Sequence, residues 1–283
     1  MEIRFDEQVA IVTGAGRGLG RAHAIAMASK GAKVVVNDFS GSQEISENAN
    51  SVVEEIISAG GEAIANGANV ANFDQVQCMV NETIDKWGRV DILVNNAGIL
   101  RDKTFLKMSV EDMREVIDVH LMGSLNCSKA VWETMREQSY GRIVLTSSSS
   151  GLYGNFGQTN YGAAKMAMVG IMNTLHLEGM KYNIKVNCLA PTAGTAMTDG
   201  LFPEPVFKLM PPESVSPGVV FLCSKDAPSR KVLAAGGGSF AIFKGFETQG
   251  VNLLPDELSA ESVAKYRDKI DGENNMQEPQ SGS

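Results

Sequence analysis

QVAIVTGAGRGLG, residues 8–20, decides how the rest of the chain is read. Residues 8–13 have strand character and run straight into a turn carrying Gly14, Gly18 and Gly20 in the spacing TGxxxGxG, after which a helical pattern begins. The spacing is not GxGxxG, because Leu19 fills the sixth place. Glycines at a strand-to-helix turn let the backbone approach a pyrophosphate, which then rests on the exposed N–H groups of the helix start. A glycine cluster by itself also suits a plain flexible turn, so the neighbouring segments must decide between the two.

Outward from that turn, short β-branched runs alternate with longer helical patterns over the first 190 residues. This is the pattern of βαβ units on a parallel sheet. Strands are expected at 8–13, 33–37, 62–66, 91–96, 142–147 and 184–190, with a last one over VLAAGG, 232–237, that SFAIFKGFETQG extends. Runs such as VVV and ILV suit strands buried on both faces. Residues 109–137, SVEDMREVIDVHLMGSLNCSKAVWETMRE, read as one long helix with a serine N-cap and with Glu111 and Asp112 at the positive end of its dipole. The expected fold class is α/β, a Rossmann-type doubly wound parallel sheet in a single domain. Residues 1–250 form the dinucleotide-binding domain, and 251–283 a C-terminal extension with one short helix and a polar tail.

Composition bounds the partners. With 283 residues, 43% hydrophobic and 20% charged, the chain is long enough for one large core. A net charge of −8 and a pI near 5.0 exclude the basic face that nucleic-acid binding requires, so a small-molecule partner is expected. The N-terminal MEIRFDEQ has no apolar core, no apolar stretch approaches about 20 residues, and QSGS is not a retention or peroxisomal address. No membrane contact and a cytoplasmic location are therefore expected. Cys78, Cys127, Cys188 and Cys223 form no CxxC pair and no histidine lies in HExxH spacing, so no metal site is expected.

Three further segments carry chemistry. Asp38 closes the second strand eighteen positions beyond Gly20, where a dinucleotide fold places an acid that hydrogen-bonds the adenosine ribose. A carboxylate there accepts from a ribose diol and repels a 2′-phosphate, which favours NAD; Arg17 in the glycine loop argues the other way. NNAG, 95–98, ends the fourth strand at the carboxyl edge of the sheet, where open α/β folds bind ligands. In TSSSSGLYGNFGQTNYGAAK, 146–165, Tyr161 and Lys165 are four apart and share one face of a helix. Free in water both titrate at about 10 or slightly above, so neither transfers protons near neutrality unless its surroundings shift it.

Taken together, TGxxxGxG, Asp38, NNAG, a serine thirteen positions before a tyrosine, and YxxxK resemble the short-chain dehydrogenase/reductase family over residues 8 to 240. The resemblance implies that Ser148 holds the substrate oxygen, that Tyr161 transfers the proton, and that Lys165 binds the nicotinamide ribose while its charge lowers the tyrosine pKa. It assigns NAD contacts to Gly14, Arg17, Gly18, Leu19, Gly20, Asp38, Asn69, Val70, Asn96, Ala97, Gly98, Tyr161, Lys165, Pro191 and Thr195. It also implies a homodimer or homotetramer built on helices 109–137 and 159–181. The sequence departs from the family pattern in three places. His120 stands where an asparagine commonly orders a proton-relaying water, Asn69–Val70 where an acid precedes valine, and Pro191–Thr192 where Pro-Gly follows the sixth strand.

ILRDKTF, VHLMGS, YGNFGQTNYGAAK and APTAGTAMT are similar to the (3R)-hydroxyacyl-CoA dehydrogenase units of the type 2 peroxisomal multifunctional enzymes. The implied substrate is an acyl-CoA, with Arg101 and Lys103 as rim cations for its phosphates and residues 192–212 as a substrate wall. A steroid or other small alcohol is the alternative substrate. A dinucleotide sensor without chemistry is the alternative of a different class, which one turnover assay separates.

From Asp38 we expect at least ~100-fold preference for NAD over NADP, about 2.7 kcal/mol of discrimination. Steady-state kinetics with both nucleotides tests this, and equal catalytic efficiencies would contradict it.

Overall fold

The computed structural model describes residues 2–42, 44–195, 203–273 and 276–280. Strand β1, Val9–Thr13, is buried along its whole length and leads through the glycine turn into α1, Gly18–Ser29. Strand β2, Lys33–Asn37, helix α2, Glu47–Ser58, strand β3, Glu62–Asn66, helix α3, Phe73–Trp87, and strand β4, Ile92–Asn95, repeat the alternation. Local signals set these ends. Asn72 caps α3 by accepting from the Gln75 N–H, and Gly88 closes the same helix in the left-handed conformation.

The second half continues with α4, Val110–Ile117, α5, Gly123–Gln138, and β5, Gly141–Thr146. Then come α6, Ser149–Tyr153, α7, Thr159–Gly179, and β6, Ile184–Thr192. Last are α8, Glu204–Lys208, α9, Ser216–Cys223, β7, Val232–Gly236, and β8, Ser239–Phe243. Among the described residues the strands form one eight-stranded sheet in the order β3-β2-β1-β4-β5-β6-β7-β8. From β3 to β7 every neighbouring pair is parallel, with Val12 opposite Val94 and Thr146 opposite Leu189. The order reverses between β1 and β4. Connections leave the sheet there toward opposite faces and open a crevice at the carboxyl ends of both strands.

The expected strands lie within two residues of the observed ones, but two expectations change. SFAIF does not extend the last strand. Gly237 and Gly238, with φ of 55° and 80°, make a two-residue turn, and so short a link can only join antiparallel neighbours, so β8 runs back along β7 as the edge of the sheet. Residues 109–137 are not one regular helix, because Asp118–Met122 between α4 and α5 winds as a π-helix. The chain divides into two compact units, Met1–Ile242 and Phe243–Ser283. Within the second unit, α10, Ala260–Lys265, and α11, Arg267–Ile270, supply the expected short helical stretch, split in two at Tyr266. Among the described residues no helix is long and apolar enough to cross a membrane.

Strand β5, which leads into the serine run, is anchored at its start by Arg142, 1% exposed. Its guanidinium donates to the carbonyls of Gly141 (2.7 Å), Asn183 (2.8 Å), Ser224 (2.9 Å) and Lys225 (2.8 Å) and lies 4.1 Å from the Tyr140 ring centroid. A buried cation held by carbonyls alone loses several charge-assisted bonds at once when replaced, and the carbonyls lose their donors. Arg142→Met should therefore destabilise the chain by about 3 kcal/mol. Equilibrium denaturant unfolding measures this, and a loss below about 0.5 kcal/mol, the level of an ordinary surface change, would contradict it.

Candidate active site

At the crevice, the end of β1 and the end of β4 are joined by one hydroxyl. Thr13 Oγ1 accepts from the N–H groups of Asn96 (3.0 Å) and Ala97 (3.1 Å) and donates to the Val94 carbonyl (3.4 Å). The Asn96 amide adds bonds to the carbonyls of Thr13 (3.0 Å) and Gly14 (3.1 Å). NNAG is thus fastened to the glycine loop, and Asn96, Ala97 and Gly98 line the same crevice as Gly14. Thr195 lies across from Gly18, so the segment after β6 and Pro191 meets the loop from the far side. Leu19 packs on the core under the start of α1.

Asp38, just past β2, faces that loop too. A methyl group on Gly16 would come within 2.3 Å of the Asp38 carboxylate, so only glycine fits there. The side chain of Arg17 is exposed at the N-cap of α1 and makes no capping bond, and the first turn of the helix holds no acid. An anion therefore meets unsatisfied N–H groups without like-charge repulsion. Glycine loop, uncapped helix start and strand-end carboxylate together fit a dinucleotide. Asn69 and Val70 lie beyond β3. The Asn69 side chain accepts from the Ala71 N–H (3.0 Å), while the Val70 carbonyl accepts from Asn126 (2.9 Å), tying this rim to α5.

On the other side of the crevice, Ser148 is the N-cap of α6, accepting from the Ser150 N–H at 3.1 Å, and its hydroxyl lies near the Tyr161 phenol. Ser147 instead donates to the Lys165 carbonyl (2.8 Å), fixing the α7 backbone. Lys165 is 3% exposed, with Nζ donating to the Thr146 carbonyl (2.6 Å) and lying 5.5 Å from the Tyr161 ring centroid. Burial pushes the Lys165 ammonium down to about 7. Burial also raises the Tyr161 hydroxyl above its ordinary value, an effect that nearby Ser148 opposes and the Asp102 charge reinforces. In the chain alone burial dominates the Tyr161 hydroxyl, and Lys165 is not among the groups that shift it.

His120 sits in the π turn, 2% exposed. Its ring meets the Tyr161 ring edge-on, 5.2 Å between centroids, and a methyl on Gly98 would touch it at 2.3 Å. Nε2 lies 2.8 Å from the Ile99 carbonyl and 3.1 Å from the Ile99 N–H, so either tautomer holds the backbone just after NNAG. Nδ1 is buried with no hydrogen-bond partner among the described residues. Burial first, and the Lys165 charge second, push the imidazole down to about 3, so it is neutral at any working pH.

Two buried amides beside Tyr161 escaped the sequence reading. Asn160 donates weakly to the carbonyls of Arg101 and Asp112 (3.3 and 3.4 Å) and accepts from the Tyr161 N–H (2.8 Å). Gln158 donates to Asp102 (2.6 Å). QTN just ahead of Tyr161 was the available signal. The proposed rim cations are both engaged, Arg101 with Glu115 (2.8 Å) and Lys103 with Asp112 (2.7 Å). Of the proposed substrate wall, 196–202 lie outside the described residues.

A family profile described as short chain dehydrogenase matches residues 8–205. A Mycobacterium tuberculosis protein named as a short-chain type dehydrogenase/reductase is 47% identical over 270 residues, with 94% of each chain covered. Peroxisomal multifunctional enzyme type 2 of Mus musculus is 43% identical over 288 aligned positions, which cover 98% of this chain but 38% of that enzyme. The chain therefore spans well under half of the mouse protein. A solved structure of 7α-hydroxysteroid dehydrogenase complexed with NADH and 7-oxo glycochenodeoxycholic acid matches with a TM-score of 0.76 and 30% identity, covering 83% of this chain and 95% of that one.

The depressed His120 pKa has a stability consequence. The unfolded chain takes up a proton near pH 6.5 and the folded one only near 3, so stability is complete above 6.5 and lost as pH falls toward 3. Between pH 6.5 and 5 this one group should cost up to about 2 kcal/mol. His120→Asn should flatten the pH dependence of unfolding in that window by a comparable amount, and an unchanged slope would contradict the assignment.

Proposed function

As a member of the short-chain dehydrogenase family, the chain is an oxidoreductase of alcohol groups, and we propose that it oxidises the 3-hydroxyl of a (3R)-3-hydroxyacyl-CoA with NAD. The observation that carries the alcohol chemistry is the convergence of Ser148, Tyr161 and Lys165 on one wall of the crevice, opposite the glycine loop and Asp38. NAD, when bound, supplies the hydride acceptor and a positive charge that favours the tyrosinate. Ser148 donates to the substrate oxygen and Tyr161 takes its proton, because the two hydroxyls lie close enough to share a third oxygen. Lys165 needs little energy to become charged or neutral near pH 7, which suits a group that passes a proton onward. His120 does not titrate in this range and so positions rather than transfers: it holds Ile99 and walls Tyr161.

An acyl chain fits the rim better than the phosphates do. Tyr153, Phe156 and Leu106 are exposed apolar side chains on the segments flanking the trio, and the Lys103 N–H to Gly157 carbonyl bond (3.0 Å) joins those segments. Phosphates could engage Arg101 and Lys103 only in exchange for Glu115 and Asp112. The acyl-CoA reading therefore rests on the apolar rim and on the mouse relative, whereas the hydroxysteroid dehydrogenase structure favours a steroid alcohol as the second reading. A homodimer or homotetramer is part of the proposal, supported by exposed Met166 and Leu177 on α7. A cytoplasmic setting is proposed from the sequence, although the mouse relative is named peroxisomal.

The (3R) epimer of a 3-hydroxyacyl-CoA should reduce NAD in an absorbance assay while the (3S) epimer does not, since one hydroxyl geometry fits between Ser148 and Tyr161. Tyr161→Phe should lose at least ~100-fold in turnover and still bind NAD. Oxidation of a steroid alcohol with neither epimer turned over would move the substrate to the second reading.

A further inference from the structure

We propose that Ser46 is a specificity-determining residue, orienting Asp38 for the nucleotide. This rests on the reading of Asp38 as the ribose-binding acid. Ser46 lies eight positions after Asp38, beyond a short loop closed by the antiparallel bridge between Phe39 and Ile45 and by a bond from the Ser40 hydroxyl to the Glu44 carbonyl (3.1 Å). The fold of that loop returns the buried Ser46 to the carboxylate. Its hydroxyl donates to Asp38 Oδ2 at 2.8 Å and, as the N-cap of α2, accepts from the Ala49 N–H at 3.0 Å.

One hydroxyl thus joins the end of β2 to the start of α2, and each partner fixes the other. With the acceptor side of Oγ occupied by Ala49, its proton has one direction to point, toward Asp38. The carboxylate is trapped between that donor and Gly16, where a methyl group would already be too close. Its backbone N–H is tied to the Asn66 carbonyl (3.0 Å). Asp38 is therefore held from three sides before any ligand arrives. A carboxylate fixed in one rotamer binds a diol without first losing rotamer freedom and presents its charge steadily to any 2′-phosphate. Without the Ser46 donor it can rotate away, losing a ribose contact and relieving the repulsion.

Ser46→Gly tests this with little harm to the helix, because glycine is a tolerated N-cap. The dissociation constants of NAD and NADP are measured by titration calorimetry, alongside KM and kcat. We expect NAD affinity to fall about tenfold and NADP affinity to hold or rise, with the kinetic loss in KM rather than kcat, as befits one lost charge-assisted bond. Ser46→Thr, which keeps donor and acceptor, should restore the wild-type ratio. Should the glycine variant fail to fold by circular dichroism, Ser46→Asp, an N-cap without a donor, should show the same loss of NAD affinity. Equal weakening of NAD and NADP would mark Ser46 as a helix cap only and overturn the proposal, as would unchanged NAD affinity in a wild type that prefers NAD. A wild type without that preference would instead overturn the reading of Asp38, and this inference with it.

Discussion

The site depends on the bonds that the Thr13 hydroxyl makes at the reversal between β1 and β4. Connections leave those two strands toward opposite faces, so their ends would diverge and the crevice would widen without a tie. Thr13 Oγ1 takes two N–H groups of NNAG and returns one bond to Val94, using both lone pairs and its proton. The segment after NNAG inherits that position. Ile99 leaves NNAG at a defined height, His120 grips it from the π turn, and the same ring bounds Tyr161. A regular helix through 118–122 would aim residue 120 differently, so the extra residue in that turn is a local departure that serves the site.

Burial shapes the chemistry on the other wall. Lys165 gives up part of its charge on folding, with a folded value of about 7 against an ordinary 10.5. Stability from this group is complete only above about pH 10.5 and declines down to about 7, so at neutral pH the fold bears the cost of a disfavoured ammonium. The Thr146 carbonyl offsets some of that cost. Tyr161 is displaced in the opposite sense, toward the protonated phenol. Both shifts come from desolvation, and both favour the neutral pair. A positive charge arriving in the crevice would favour the tyrosinate and disfavour the lysine ammonium.

Much of this was legible in the chain because it depends on spacing. Short β-branched, near-continuous apolar runs placed the strands to within two residues, and the serine thirteen positions before the tyrosine of YxxxK pointed to Ser148, while the Ser147 hydroxyl bonds the Lys165 carbonyl instead. What was not legible depends on partners distant in sequence. Arg101 and Lys103 read as free cations because Glu115 and Asp112 lie one helix away. The strand SFAIF looked like an extension because the reversal needs φ above zero at both Gly237 and Gly238, which composition permits but does not announce. The π turn has no pattern of its own at all, since VHLMG keeps an ordinary helical composition.

The two walls of the crevice are built by different means, and this bears on how substrate choice and cofactor choice can vary independently. The proposed cofactor wall is largely backbone, held by hydroxyls and amides, namely Thr13 and Asn96, with Ser46 proposed to act on the Asp38 carboxylate. Changes there would leave Ser148, Tyr161 and Lys165 in place. The proposed substrate rim is loops 99–107 and 153–158, joined to each other by Lys103–Gly157 and Asp102–Gln158 and carrying exposed apolar side chains. Replacing Leu106 or Phe156 would change the exposed apolar surface of these loops without disturbing a buried hydrogen bond. A fold divided in this way can keep one hydride chemistry while relatives as different as a peroxisomal multifunctional enzyme and a hydroxysteroid dehydrogenase share its sheet.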